Sequence, residues 1–274
     1  MQISIVIGTF NQKAVLETTL KSFINQSIPV SEYELIVVDS TSTDGTDRMI
    51  ESLKPPYRLN YLRVENKGKS VARNIGIEQA KASLILITDA DMEATPNLLE
   101  EHLKAHKEQP FSVFEGMTIN PDKKPYIKQK LKALQKLPWG YFLTGNLSLS
   151  KKIITQCGLF DVNFSGYGWE DIELGYRLSL MKIPLYYLPS AVNFHNHPVT
   201  AGDMLKRKYE MGKSAAYFYK KHPHLEVKLF LGINPIAMGI FYFLKTFPAL
   251  RKLIRNQYLL EEYNYRLGLV ENQP

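Results

Sequence analysis

Ser83-Leu84-Ile85-Leu86-Ile87-Thr88-Asp89-Ala90-Asp91 is the stretch that decides the fold. An apolar run rich in Leu and Ile, with no polar alternation, reads as a strand buried on both faces of a parallel sheet. It stops abruptly at two carboxylates separated by one alanine. In open α/β sheets, ligands sit beyond the carboxyl ends of the strands. Asp89 and Asp91 therefore stand where a ligand would be held. Two acids this close repel unless a cation or hydrogen-bond donors lie between them. Hard divalent cations take carboxylate oxygens together with substrate phosphates. The same residues also read as a strand-end turn leading into a helix that starts at Thr95-Pro96.

Upstream of this stretch the pattern repeats. Ile3–Gly8, Tyr33–Val38 and Arg58–Val64 read as strands. The first runs on into Thr9-Phe10-Asn11 and the second ends in Asp39. Helices are expected from Ala14 to Asn25, from Thr46 to Leu53, and after Asn66-Lys67-Gly68-Lys69-Ser70. This alternation over the first ~110 residues predicts a doubly wound α/β sheet. Thr9, Asn11, Asp39, Asp89 and Asp91 should then converge on one rim. The first βα turn lacks Gly-x-Gly-x-x-Gly, which disfavours a nicotinamide cofactor, and there is no Walker sequence. Gly68-Lys69-Ser70 opens a helix with free amides, and Lys69 and Arg73 lie close by. Together they could hold an anion, or form a solvated face.

The chain has 274 residues, a hydrophobic fraction of 45% and a net charge of +7. That is enough apolar material for a core, and the charge suits acidic partners such as nucleotide phosphates, nucleic acid or anionic lipid. No nucleic-acid-binding motif is present, so nucleic acid is not expected. A single cysteine, Cys157, excludes an internal disulfide and reads as a small buried hydrophobe rather than a nucleophile. The N-terminus lacks a signal peptide's basic region and cleavage site, so a cytoplasmic protein is expected.

Farther along, Phe111–Met117 reads as a strand, Asp122–Lys136 as a Lys-rich helix or mobile loop, and Tyr141–Leu149 as an alternating segment containing Gly145-Asn146. Then comes Phe164-Ser165-Gly166-Tyr167-Gly168-Trp169-Glu170-Asp171. Two acids open a helix here, where the dipole and free amides keep a carboxylate ionised and able to act as a base. The glycines and rings before them could form a wall that stacks on sugars. Short strands at Leu185–Leu188 and Ala191–Phe194 lead to His195-Asn196-His197. One of these imidazoles could complete a cation site with Asp91, tilting it toward manganese. His195 follows the strand directly; His197 is the alternative. A helix is expected over Met204–Tyr219 and another over Gln257–Leu269. Between them, Val227–Leu250 is strongly apolar but borderline for a membrane span. Its flanking positives fit contact with an anionic membrane face, while packing on the core or on a second subunit is also open.

Val6-Ile7-Gly8-Thr9-Phe10-Asn11, Val37-Val38-Asp39, Gly68-x4-Arg73-Asn74-x-Gly76, Asp89-Ala90-Asp91 and Gly166-Tyr167-Gly168-Trp169-Glu170-Asp171 occur in this order. In this, residues 1–200 resemble family 2 glycosyltransferases of the GT-A fold. The second half resembles the galactosyltransferase-like and chondroitin-polymerase-like members. Those carry Trp-Gly-Gly-Glu-Asp where this chain has Tyr-Gly-Trp-Glu-Asp.

The resemblance implies a Rossmann-like α/β fold with a mixed, mostly parallel sheet flanked by helices, and a helical C-terminal tail. It implies a catalytic domain over 1–222, split into a nucleotide-binding half (1–110) and an acceptor-binding half (111–222), and an extension over 223–274. Thr9, Asn11 and Asp39 would hold the nucleoside, most often uridine. Gly68, Lys69 and Arg73 would approach the nucleotide. Asp89 would contact ribose or support its neighbour, and Asp91 and His195 would bind Mn2+ or Mg2+ on the diphosphate. Asp171 would be the catalytic base, and Gly145, Asn146, Trp169 and Glu170 would shape the sugar and acceptor site. Related retaining enzymes carry Asn where Asp171 stands, so an inverting enzyme is implied. Its donor would be a nucleotide-diphospho-sugar and its acceptor a saccharide or glycolipid. A sugar-phosphate nucleotidyltransferase and a non-catalytic, membrane-associated interaction module are the competing readings. The first is weakened by the absence of a Gly-rich basic signature near the first strand.

Overall fold

In the computed structural model the first part of the chain alternates strand and helix: β1 (Ile3–Thr9), α1 (Lys13–Ser22), β2 (Tyr33–Asp39), α2 (Thr46–Ser52), β3 (Arg58–Arg63), α3 (Lys69–Gln79) and β4 (Leu84–Asp89). Then follow β5 (Met92–Ala94), α4 (Leu98–Glu108), β6 (Val113–Ile119), β7 (Lys136–Leu137), β8 (Leu147–Ser150), α5 (Lys151–Gln156), α6 (Glu170–Leu180) and β9 (Leu185–His195). The helices α7 (Ala201–Lys221), α8 (Leu225–Phe230), α9 (Pro235–Thr246), α10 (Pro248–Lys252) and α11 (Gln257–Glu271) come last. The structure describes residues 1–127, 131–164, 167–196, 201–252, 254 and 256–272, with backbone only at 201–203 and 251–252. His197, Gly166, Lys128, Lys130 and Arg255 lie outside the described residues.

Two compact units result. One comprises Met1–Val162 with Leu174–Pro198, the other Asn163–Glu173 with Val199–Pro274. Helix α7, which the sequence reading joins to the catalytic domain, thus groups by contact with the C-terminal helices.

The first unit is a layered α/β structure whose sheet runs β3-β2-β1-β4-β8-β6-β9-β5, with β7 also pairing β9. β1 to β4 are mutually parallel where they pair, and β8 runs antiparallel to both β4 and β6. β1, β2 and β4 are buried along nearly their whole length, as an apolar strand covered on both faces requires. Successive side chains alternate between two cores. Ile5, Leu35 and Leu86 pack with Leu16 and Leu20 of α1 and Leu99 of α4. Val6, Ile36 and Ile85 pack with Ile77 of α3, Ile154 of α5 and Leu174 of α6. That alternation is the period of two expected for a strand. Gly76 lets α3 sit directly on β1, because a Cβ there would reach 2.5 Å from Val6 Cγ1.

Three sequence expectations change. The two short strands over 185–194 are one strand, β9, which accommodates Pro189 through a register shift opposite Gly116/Met117 of β6. The Lys-rich stretch holds no helix among its described residues. The apolar segment after Val227 is divided into three short helices by Gly232, Asn234-Pro235 and Pro248. Asn234 caps α9, its Oδ1 accepting from Ala237 N at 2.9 Å, with Pro235 in the first helical position. Among the described residues, no helix is long and apolar enough to cross a membrane.

The second unit is built around α7 against α11. Gly212 and Gly268 make their contact close: a Cβ on Gly212 would overlap the Tyr265 carbonyl, and one on Gly268 the Tyr209 carbonyl. Rigid backbone on the far side cannot swing away as a side chain could. Gly212→Ala is therefore expected to force the helices apart at a cost of about 3 kcal/mol or more. Calorimetry should show a lowered melting transition, and hydrogen exchange should localise the loss of protection to 204–221 and 257–271. An unchanged transition would mean that the two helices do not pack this closely.

Candidate active site

The parallel strands bring their carboxyl ends to one rim of the first unit. Thr9 is in register with Asp39 and Gly8 with Asp89, so the ends lie about one strand spacing, roughly 4.8 Å, apart. The Thr9 hydroxyl is buried and makes no hydrogen bond among the described residues. A buried polar atom without a partner calls for one from outside the chain.

Asp39 is fully buried. Its Oδ1 accepts from Ser42 N at 2.9 Å and Ser42 Oγ at 2.6 Å, and its Oδ2 accepts from Tyr61 OH at 2.6 Å. Burial first, and then this bond to Asp39, push the Tyr61 phenol well above its ordinary pKa, so it remains a donor. Asn11 adopts a left-handed backbone (φ 52°), a conformation Asn tolerates. Its N–H donates to Ser42 Oγ at 2.8 Å and its Oδ1 accepts from Thr43 N at 2.8 Å. Asp39 and Asn11 thus knit the loops after β1 and β2 into the floor of the rim. Asp39 does not stand there as a bare acid.

Among the described residues, Asp89 and Asp91 meet different partners. Arg73, 2% exposed, donates from Nη2 to Asp89 Oδ1 at 2.9 Å, and Lys69 Nζ is 3.4 Å from the same oxygen. The Arg73 guanidinium also lies 5.3 Å from the centroid of the Phe160 ring. Desolvation raises the Asp89 pKa, but Lys69 and Arg73 together outweigh it and hold the carboxyl below its ordinary value. Asp89 therefore neutralises the buried guanidinium, while half-exposed Lys69 faces water at the start of α3. Gly68 supplies the left-handed turn (φ 97°) that launches this helix.

Asp91 is met by a different element. The antiparallel pairing of β5 with β9 sets Met92 opposite His195, and Asn196 N donates to the Asp91 carbonyl at 3.0 Å. As a result, His195 Nε2 and Asp91 Oδ2 lie 3.3 Å apart. A carboxylate and an imidazole side by side are both groups that ligate divalent cations. No group of three or more His, Cys, Asp or Glu suited to a metal occurs among the described residues. The pair fits a cation whose remaining ligands come from phosphate oxygens, the way magnesium is usually held.

Gly145 and Asn146 lie behind this pair. The Gly145 carbonyl accepts from Thr88 Oγ1 and Asn193 Nδ2, both at 2.8 Å. Asn146 is fully buried. Its Nδ2 donates to the Ala191 carbonyl at 2.9 Å, and a Cβ on Gly116 would overlap its amide. It braces the loop from beneath, and its side chain does not face outward.

Sequence reasoning missed what braces Asn146 in turn. Its Oδ1 accepts from His102 Nε2 at 2.9 Å, which leaves His102 Nδ1 to accept from Ser148 Oγ at 2.8 Å. Ser148 Oγ is 2.9 Å from His106 Nε2. Burial, opposed by the bond to Asn146, lowers the His102 pKa to about 4. Burial and the neighbouring His102 lower that of His106 to about 3. Both imidazoles are neutral at physiological pH, consistent with this directional chain. The signal was present in α4, where His102 falls on the same stripe as Leu98, Leu99 and Ala105.

Asp171, Glu170 and Trp169 belong to the second unit. Asp171 stands in the first turn of α6, and its Oδ1 lies 2.8 Å from the Ile172 N–H. Glu170 is buried. Glu173, fully buried, accepts on Oε1 from Lys221 Nζ at 2.9 Å and His222 Nε2 at 2.8 Å, tying this turn to the end of α7. Trp169 turns inward through a positive φ of 73°. Its indole N–H donates to the Met211 carbonyl at 2.9 Å, and its ring meets Phe230 and Tyr265 at 5.8 and 6.4 Å. The exposed ring of this motif is Tyr167, with Arg207 at 5.1 Å over its face.

The chain is similar to known proteins. Validoxylamine A glucosyltransferase of Streptomyces hygroscopicus subsp. jinggangensis is 28% identical over 95% of this chain and 71% of its own. Among solved structures, S. aureus TarS 1–349 in complex with UDP superposes with a TM-score of 0.64 at 17% identity, covering 99% of this chain and 91% of TarS 1–349. The mannosyltransferase PcManGT from Pyrobaculum calidifontis, in complex with GDP-Man and Mn2+, gives a TM-score of 0.64 at 18% identity, covering 99% and 86%. The chain spans 66% to 71% of three curated relatives it matches and 26% to 40% of three longer ones. The profile of Glycosyl transferase family 2 matches residues 4–164, more than half of the chain and all of the strand-end rim up to Asp91. This chain, built on the GT-A fold, belongs to glycosyl transferase family 2.

Proposed function

We propose that this chain transfers a sugar from a nucleoside diphosphate sugar, with uridine as the nucleoside, to a hydroxyl acceptor in polysaccharide or glycoconjugate synthesis, inverting the anomeric centre. The observation that carries the reading is the rim itself. An unpartnered Thr9 hydroxyl, the Asp89–Arg73–Lys69 cluster and the Asp91–His195 pair stand at adjoining strand ends of one sheet. UDP on TarS 1–349, and GDP-Man with Mn2+ on PcManGT, support the donor class and the metal.

In this reading Thr9 and the Asn11–Asp39 floor receive the nucleoside, and Lys69 at the turn after Gly68 meets the phosphates. Arg73 and Asp89 keep that turn charged and fixed. Asp91 and His195 would hold Mn2+ or Mg2+. When bound, the ion supplies Lewis-acid neutralisation of the leaving diphosphate. Gly145, with Asn146 beneath it, and Glu170 beside Trp169 shape the sugar and acceptor sites. The acceptor oxygen forms its bond to the anomeric carbon as the bond to the diphosphate breaks, and Asp171 takes the acceptor's proton.

A panel of nucleotide sugars with Mn2+ tests this. Acceptor-dependent release of free UDP is expected, with a product of inverted configuration by NMR and loss of turnover on chelation. Release of pyrophosphate from a nucleoside triphosphate and a sugar phosphate, or no turnover with any nucleotide sugar, would overturn it.

A further inference from the structure

We infer that the second unit carries a membrane-docking face that seats the protein on an anionic lipid surface. In α9, Phe241 turns inward and packs 5.2 Å from the Tyr263 ring of α11. The opposite side points out: Ile236, Ile240 and Phe243 are 78%, 56% and 53% exposed, and Phe247 and Leu250 beyond them are 49% and 43% exposed. Ile236, Ile240 and Phe243 follow the i, i+4, i+7 spacing of one helical stripe, which ends where Phe247 leaves helical geometry. Leu225 and Leu229 of α8 and Tyr258 and Leu259 of α11 are exposed as well. A contiguous apolar surface of this kind marks an interaction site.

Charge selects the occupant. Residues 225–262, which span the exposed apolar positions from Leu225 to Leu259, contain five basic residues, Lys228, Lys245, Arg251, Lys252 and Arg255, against three acids, Glu226, Glu261 and Glu262. A second copy meeting this face through a two-fold axis would set the same net-positive segment against itself. An anionic bilayer offers the complementary surface, apolar below and negative above. Helix α9 has 12 residues, and no described helix can cross a membrane. The segment therefore lies in the interface plane, with aliphatic and aromatic side chains inserted at the headgroup boundary. This inference does not depend on the proposed reaction.

Cosedimentation of the full chain with phosphatidylcholine vesicles, with and without phosphatidylglycerol at about one part in three, tests it. Binding is expected only to the anionic vesicles, and to weaken with added salt. Combining Ile240→Asp with Phe243→Asp should lower the partition constant by at least about tenfold, with the melting temperature unchanged because both side chains are already exposed. Lys245→Glu should weaken binding without altering the apolar row. The inference falls if the unmodified chain stays in the supernatant with both vesicle types, or if the double variant binds as well as the parent. It also falls if sedimentation reveals a dimer that the double variant abolishes.

Discussion

Asp171→Asn is expected to lower kcat for sugar transfer by about 10²–10⁴-fold, the range a positioned general base contributes, and to leave donor affinity unchanged. The substitution keeps the shape of the side chain and an oxygen beside the Ile172 N–H, which Asp171 Oδ1 approaches at 2.8 Å. The first turn of α6 should therefore persist, anchored independently by buried Glu173 on Lys221 and His222. What Asn lacks is the basicity to accept the acceptor's proton. Single-turnover kinetics would separate the chemical step from binding, and calorimetry with the nucleotide sugar would check donor affinity. A variant with near-parental turnover would remove Asp171 from the role. A variant that loses donor affinity as well would show that it acts by holding the site together.

The parts of this protein legible in its sequence are those with a local cause. An apolar run without alternation must be buried on both faces, so β1, β2 and β4 could be read directly, together with the rim at their ends. The Gly68 turn and the acids opening α6 were legible for the same reason. What escaped was set by partners distant in the chain. Nothing near Asp39 announces that Tyr61, on the next strand, occupies one of its oxygens. Nothing near Asp89 and Asp91 says that one turns to α3 and the other to β9. Trp169 read as part of a sugar-stacking wall, yet its positive φ turns the indole toward Met211. Gly212 and Gly268 carry no local signature, because each is required by a carbonyl on another helix.

The two acids of the triplet should respond oppositely to removal, and this is the sharpest test of the rim. Asp91→Ala should reduce Mn2+-dependent donor affinity by about 100-fold or more, since a lost donor leaves His195 as the one protein ligand of the proposed pair. Donor affinity measured without metal should match the parent, and so should thermal stability. The Asp91 carboxylate lies 3.3 Å from His195 Nε2, and replacing it by alanine leaves no buried guanidinium behind. Asp89→Ala should do the reverse at first inspection, lowering stability before affinity can be measured. It removes the carboxylate that accepts from the Arg73 guanidinium, which is 2% exposed and lies beside the Phe160 ring, while half-exposed Lys69, another cation, stays near it. Breaking a fully buried pair costs about 3–5 kcal/mol. Asp89 is itself 28% exposed, so a loss of about 2–3 kcal/mol is expected here. Denaturant melts and metal titrations of the two variants side by side give the answer. Equal loss of stability in both would mean that the triplet is one structural turn. Unchanged metal-dependent affinity in Asp91→Ala would move the cation elsewhere.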